Sequence, residues 1–139
     1  MILIISDYHK KENKVLDLIK EHKPNLILCL GDGESDDKFY LDNNIISVKG
    51  NCDYANLPLV KVHEYKGKRF LMVHGHLHNV YFDVFKLYLF ALEHNVDYVL
   101  YGHTHIQQVE EYEGITFVNP GALKEDKYIL FKDEEFILK

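Results

Sequence analysis

The first half of the chain alternates short apolar runs with amphipathic segments, a pattern that predicts strands connected by helices. Val15, Leu16 and Ile19 recur at helical spacing within Glu12–His22, which ends shortly before a proline, so we expect a helix there. A second, shorter helix is expected over Asp36–Leu41. The predicted strands of this half are Ile2–Ile5, Leu26–Leu30 and Ile45–Val48.

The second half begins with a predicted hairpin, because Leu59–Tyr65 alternates and Gly67 separates it from Lys68–Val73. The segment Val80–His94 predicts the clearest helix of the chain, with a broad apolar face made of Val80, Val84, Phe85, Tyr88, Leu89 and Leu92. The pattern then changes to short strands separated by turns. These predicted strands are Tyr98–Tyr101, Gln107–Tyr112, Ile115–Val118, Tyr128–Phe131 and Phe136–Leu138.

A chain that begins β-α-β-α-β and finishes in strands predicts two packed sheets with helices outside them. At 139 residues and 47% hydrophobic content, the chain is long enough for one well-cored domain, and we find no linker or internal repeat. We therefore expect a single α/β domain over residues 1–139.

Five of the predicted strands each run into a polar loop. In open α/β sheets, ligands bind beyond the carboxyl ends of the strands, so these loops are expected to gather at one edge. The loops are Ser6-Asp7-Tyr8-His9, Gly31-Asp32-Gly33, Gly50-Asn51-Cys52-Asp53, His74-Gly75-His76-Leu77-His78 and Gly102-His103-Thr104-His105.

Carboxylates, an amide and imidazoles together form a mixed ligand set that suits Mn²⁺, Fe, Zn²⁺ or Ni²⁺ better than Ca²⁺ alone. The loops offer more ligands than one ion normally takes, which favours two metal ions.

The net charge of −6 weighs against binding to long nucleic acid or to an anionic membrane, both of which need basic patches. Arg69 is the only arginine, so metal ions would have to supply most of the positive charge for a phosphate substrate. No run reaches the length of a membrane span, and we see no signal-peptide pattern. With only Cys29 and Cys52, a structural disulfide is not expected, and a cytoplasmic location is.

Five ordered blocks together resemble the calcineurin-like metallophosphoesterases, and the short chain resembles their small YfcE-like phosphodiesterase branch. The blocks are Asp7-x-His9, Gly31-Asp32, Gly50-Asn51, His74 and Gly102-His103-x-His105. The resemblance implies a four-layer α/β/β/α sandwich with a binuclear metal centre. It also implies that one ion is held by Asp7, His9 and His105, that Asp32 bridges to the second, and that the second is held by Asn51, His74 and His103.

The resemblance implies a phosphodiesterase that acts on small phosphodiesters. Two neighbouring cations can lower the pKa of a bridging water, orient a phosphate and offset charge on the attacking and leaving oxygens. The bridging hydroxide would be the nucleophile. Mn²⁺ is the preferred expectation for both ions, with Ni²⁺, Fe²⁺ and Zn²⁺ as alternatives.

The catalytic candidates are four residues, and one of them departs from the family. Cys52 stands where most of the superfamily has a histidine thought to protonate the leaving oxygen, and nearby cations would lower the pKa of its thiol, making it a poor acid. His76 or His78 could supply that proton instead, although packing is an equal alternative for His76. Asp53 is expected to accept hydrogen bonds rather than to react. The full candidate set is Asn51, Cys52, Asp53 and His76.

Two other functions stay open beside the enzyme. The same fold serves as a non-catalytic protein-interaction scaffold in Vps29, where the metal site is incomplete. A nuclease acting on long nucleic acid is disfavoured by the acidic charge. A homodimer is also an alternative, because Tyr81, Phe82, Phe85 and Tyr88 could form a dimer face or belong to the core.

Overall fold

The structure is a computed structural model that describes residues 1–139. Its first sheet has the strand order β10-β9-β1-β2-β3, in which β1, β2 and β3 are parallel. Pairing of Ile5 with Cys29, and of Cys29 with Ser47, brings the carboxyl ends of these three strands level. The strands of this sheet are β1 Ile2–Ile5, β2 Leu26–Cys29, β3 Ile45–Ser47, β9 Ile129–Lys132 and β10 Glu135–Leu138.

The second sheet has the order β4-β5-β6-β8-β7, with β5, β6 and β8 parallel and an antiparallel strand at each edge. Met72 pairs with Leu100, so β5 and β6 also end at the same level. The predicted hairpin is confirmed as β4 and β5. The strands are β4 Val60–Tyr65, β5 Lys68–Val73, β6 Tyr98–Leu100, β7 Gln108–Tyr112 and β8 Ile115–Asn119.

Three hydrophobic clusters divide the molecule into four layers. Helices α1 (Glu12–His22) and α2 (Asp37–Asp42) pack on the outer face of the first sheet, and α3 (Phe85–Leu92) packs on the outer face of the second. Between the sheets lies a cluster that includes Ile4, Leu28 and Met72. The predicted α/β/β/α sandwich is confirmed.

The prediction for the third helix is wrong in both extent and orientation. Residues 80–84 form turns rather than helix, and the Asp83 carboxylate accepts the Phe85 backbone N–H at 3.0 Å, where α3 begins. The buried helical side chains are Leu87 and Ala91, whereas the predicted core positions Phe85, Leu89 and Leu92 are about half exposed. The segment is apolar nearly all round, so its periodicity could not select one face.

No helix is long and apolar enough to cross a membrane. Both cysteines are free thiols, with Cys29 buried in β2 and Cys52 exposed in the loop after β3.

Candidate metal centre

Hydrogen bonds between neighbouring loops assemble the edge where the five strands end. The loop after β1 is attached to the loop after β2, because the Asp7 N–H donates to Gly31 at 2.9 Å and the His9 N–H donates to Asp32 at 3.0 Å. In the second sheet, the Gly102 N–H donates to the His74 carbonyl at 2.9 Å. The predicted gathering of the polar loops is therefore confirmed.

Six of the predicted ligands form two sets, within each of which the candidate ligand atoms lie within 4.8 Å of one another. We call Asp7, His9 and His105 the first set, and Asp32, His74 and His103 the second set. The sets are adjacent, since His74 Nε2 lies 3.9 Å from Asp7 Oδ1.

Cys52 lies where the two sets meet. Its sulfur forms a third group of close ligand atoms with His9 and Asp32. Asp32 therefore takes part in two groups, as a bridging residue would. The Asn51 amide, by contrast, donates only to the Cys52 sulfur at 3.6 Å, and its side chain is exposed.

Left-handed backbone conformations orient most of the candidate ligands. Five of the six candidate ligands in the two sets have left-handed backbone angles, the exception being His74. The φ values are 54° for Asp7, 42° for His9, 57° for Asp32, 69° for His103 and 64° for His105. Such conformations cost on the order of 1–3 kcal/mol each and persist only where the surroundings impose them. The inter-loop hydrogen bonds impose them here.

Two glycines allow the carboxylates to approach the neighbouring backbone. A Cβ atom on Gly50 would lie 2.1 Å from Asp32 Oδ1, and one on Gly102 would lie 2.7 Å from Asp7 Oδ2. Both distances are far below contact, so any side chain at either position would displace a candidate ligand.

Two buried imidazole nitrogens fit a metal ion. His74 Nδ1 lies 2.7 Å from the Leu30 carbonyl and His9 Nδ1 lies 2.9 Å from the Glu34 carboxylate, so both Nδ1 atoms are engaged as donors. The opposite atoms, His74 Nε2 and His9 Nε2, are buried and form no hydrogen bond of good geometry, and each faces a carboxylate: His74 Nε2 lies 3.1 Å from Asp32 Oδ2 and His9 Nε2 lies 3.6 Å from Asp7 Oδ1. A neutral histidine held in this way presents the lone pair of Nε2, which is how metal-binding histidines are usually oriented.

The charges within the second set are strongly coupled. Burial opposes ionisation of Asp32, but His74, the Cys52 N–H and His9 together lower the pKa of this carboxyl to about 2. Burial likewise opposes protonation of His74, but Asp32 and Asp7 raise its pKa. A cation that replaced the His74 proton would therefore meet an ionised carboxylate already in place.

The other imidazoles near the site respond differently. Burial and the neighbouring His74 lower the pKa values of His76 and His103. The His76 ring centroid lies 5.5 Å from that of His74, and its Nδ1 is buried without a partner. His78 instead packs its ring against Phe90 at 4.6 Å.

The surroundings of Cys52 raise the pKa of its thiol, whereas bound cations were expected to lower it. Burial, followed by the carboxylates of Asp32 and Glu34, raises the pKa of its thiol. The expectation of a lowered pKa depends on bound ions and stays a prediction.

Asp53 holds three loops together through its carboxylate. Its Oδ2 accepts the N–H groups of Asp32 at 2.8 Å and of Gly50 at 2.7 Å, and its Oδ1 accepts the Glu34 N–H at 2.9 Å. This geometry matches the expected accepting role.

Further residues brace the site. Asn119, the last residue of β8, donates from its side chain to the Gly102 carbonyl at 3.1 Å and to Thr104 at 2.9 Å. Tyr8 is fully buried with its hydroxyl 2.8 Å from that of Ser35, so it packs in the core. The sequence reasoning missed two contacts: Ser6 donates to the Asp7 carboxylate, and Glu34 holds His9.

The site contains no cationic clamp. The Arg69 guanidinium bonds to Glu64 at 2.7 Å and to the carbonyls of His94 and Asn95, at the opposite end of β5 from His74. The only acidic groups in the centre itself are those of Asp7, Asp32, Glu34 and Asp53. A bound phosphate would thus depend on metal ions for positive charge.

Comparisons with known proteins agree with this centre. Residues 1–134 match the family model of the calcineurin-like phosphoesterase superfamily domain. The chain is 32% identical over 126 residues to a probable metallophosphoesterase of Bacillus subtilis, YsnB. The alignment covers 88% of this chain and 75% of that protein. Divalent metal ions are implied by this family, and the two sets supply candidate ligands.

Solved structures share the fold. A conserved protein of Streptococcus pneumoniae, described as a predicted phosphoesterase, superposes with a TM-score of 0.82 at 29% identity, covering 92% of this chain and 79% of that one. Vacuolar protein sorting 29 of Cryptosporidium parvum has a TM-score of 0.77 at 19% identity, covering 99% and 94%, which shows likeness of fold alone. By its sequence match and its fold, the chain belongs to the calcineurin-like phosphoesterase superfamily.

Proposed function

We propose that the protein is a metal-dependent phosphodiesterase that hydrolyses small phosphodiesters at a binuclear centre in the cytoplasm. The observation that carries this proposal is the pair of adjacent carboxylate–histidine sets, in which the buried Nε2 atoms of His74 and His9 face carboxylate oxygens at 3.1 Å and 3.6 Å. The first set would hold one ion, and His74, His103 and Asn51 would hold the other. Asp32 would contact both.

Two divalent ions, with Mn²⁺ preferred, would activate water and offset charge on the phosphate. The protein's own residues perform the remaining tasks. Glu34 and the Leu30 carbonyl orient His9 and His74, and Asp53 holds the loops in register. His76 stands beside the second set, and in its protonated form, which burial and His74 disfavour, it would donate a proton to the leaving oxygen.

The electrostatics of the site favour a diester over a monoester. A diester carries one negative charge at neutral pH, whereas a monoester carries close to two. Since no arginine or lysine contacts the two sets and four carboxylates surround them, the second charge would have no partner from the protein. The diester is the better matched substrate.

The test is hydrolysis of bis-p-nitrophenyl phosphate by metal-stripped protein reloaded with Mn²⁺, Ni²⁺, Zn²⁺ or Mg²⁺. We expect turnover that the metal restores and that an Asn51→Ala, His74→Ala double variant lacks. Bound ions without any turnover would overturn the proposal and favour the non-catalytic scaffold, for which likeness of fold to Vps29 is the present support.

A further inference from the structure

A groove of about 430 Å³ lies next to the second set, between the turns before α3 and strand β7. Its volume lies within the range of about 300–1,000 Å³ that is typical of small-molecule sites. Aromatic side chains of the turns before α3 line one wall, and polar side chains of β7 line the other. The residues used below are Tyr81, Phe82, Phe85, Thr104, Gln108 and Glu110.

The groove is continuous with the second set through Tyr81. The Tyr81 ring lies 4.6 Å from the His103 ring, and its hydroxyl donates to the His103 carbonyl at 3.2 Å. Thr104, between the ligands His103 and His105, also lines the groove. A phosphodiester at the metal centre would therefore have one of its two ester groups directed along this wall.

The lining combines exposed aromatic rings with groups that form hydrogen bonds. Phe82 is 81% exposed and Phe85 is 50% exposed, so both offer ring surface to a ligand. Thr104, Gln108 and Glu110 lie among the lining residues, and the side chains of Gln108 and Glu110 make no hydrogen bond within the protein. An aliphatic chain would offer these two side chains no partner, whereas a planar heterocycle would stack on the rings and bond at its edge.

Charge limits the size of the ligand. Asp83 and Glu110 are both acidic and line the groove, and no lysine or arginine lines it. A chain of further phosphates would be repelled along this path. The groove thus fits a neutral base with amino donors better than it fits a polynucleotide.

We infer that this groove binds the base of a nucleoside ester, which makes the preferred substrate a nucleotide diester of mononucleotide size. The inference rests on the proposed phosphodiesterase function and adds the substrate class to it. Phe82 and Gln108 determine specificity in this assignment, and neither contacts the metal ligands.

The experiment compares two substrates that release the same p-nitrophenolate: the p-nitrophenyl ester of thymidine 5′-monophosphate and methyl p-nitrophenyl phosphate. We expect kcat/KM to be higher for the nucleoside ester. Phe82→Ala should lower kcat/KM for the nucleoside ester roughly 10-fold to 100-fold, as loss of one base stack does, and leave the methyl ester unchanged. Gln108→Ala should lower it in the same selective way.

Leu41→Ala is the matched control, because Leu41 is also highly exposed, at 75%, but lies on α2 on the other side of the molecule. A second readout does not need metal: saturation-transfer NMR of adenosine with the metal-stripped protein. We expect transfer to the base protons, and Phe82→Ala should abolish that transfer.

Equal losses on both substrates, or none on either, would overturn the groove assignment while the phosphodiesterase function stands. If the wild type hydrolyses neither substrate with any metal, the proposed function fails, and adenosine binding alone decides whether the groove takes a base. Self-association that Phe82→Ala abolishes, without any adenosine signal, would assign the groove to a second copy of the chain.

Discussion

The two ligand sets of the metal centre are oriented by different means. In the second set, His74 is fully buried and its Nδ1 bonds to a backbone carbonyl at the end of β2. In the first set, His9 is 22% exposed and its Nδ1 bonds to the partly exposed Glu34 carboxylate. The orientation of His74 is thus fixed by the main chain next to a strand end, whereas that of His9 depends on one side chain. We expect the ion in the first set to exchange faster and to be the more easily lost.

Removing the carboxylate that is proposed to contact both ions, that of Asp32, should have the largest effect. Asp32→Asn keeps the shape of the side chain but removes the charge that would contact both ions. We expect metal-dependent turnover to fall on the order of 10³-fold or more, because both ions lose a ligand. Metal content by mass spectrometry and hydrolysis of bis-p-nitrophenyl phosphate measure this. Asp17→Asn, on the exposed face of α1, is the control; two retained ions with near-normal turnover would contradict the bridging role.

Comparison of His76→Ala with Cys52→Ala shows which of the two side chains protonates the leaving oxygen. His76 lies beside the second set, and Cys52 lies between His9 and Asp32. If His76 donates the proton, His76→Ala should lower turnover of alkyl diesters by at least about 100-fold and affect aryl diesters far less. Cys52→Ala should affect the two substrate types alike. Selective loss in the cysteine variant instead would transfer the acid role to Cys52.

Glu34→Gln should weaken metal binding at the first set and leave metal binding at the second set unchanged. The carboxylate fixes the orientation of His9, and loss of such a partner typically costs about 10–100-fold in metal affinity. We expect that weakening at the first set only, seen as one weakened and one unchanged step in a calorimetric metal titration. Glu111→Gln, on the exposed side of β7, should leave both steps unchanged. Equal weakening of both steps would mean that the sets are not independent.

The smallest effect concerns the metal-free protein in acid. The pKa of Asp32 lies at about 2, below its ordinary value of 3.8, so its ionised form favours folding. That contribution, about 2 kcal/mol, is present above about pH 4 and is lost as the pH falls toward 2. Between these pH values, the free energy of unfolding should fall more for the wild type than for Asp32→Asn, as measured by urea denaturation. Identical pH dependence in the two proteins would contradict the assigned coupling.

The strands, and the gathering of most candidate ligands at one edge, could be predicted because both follow from short-range pattern. An apolar run followed by an aspartate or histidine marks a strand end, and the parallel register then brings such ends together. The geometry around Asn51 could not be predicted, because the amide orientation depends on the neighbouring Cys52.

The contacts made by Glu34 and Tyr81 also could not be predicted from the sequence. Glu34 is one of 22 acidic residues, and nothing in its spacing distinguishes it. Its reach to His9 depends on a left-handed backbone at φ 59°. Tyr81 contacts His103 where residues 80–84 turn instead of continuing as helix, a break that the apolar periodicity of the segment did not predict.

The spacing of the ligands along the chain has a consequence for synthesis. Asp7 lies 3.1 Å from His105 across 98 residues, and each set takes one histidine from the loop after β6. A nascent chain on the ribosome therefore lacks both sets until that loop has emerged. Contacts between such distant residues are slow to form in folding. If the two sets bind metal as proposed, neither site is complete before residues 103 and 105 have been synthesised, and a chain arrested before residue 103 lacks one histidine of each set.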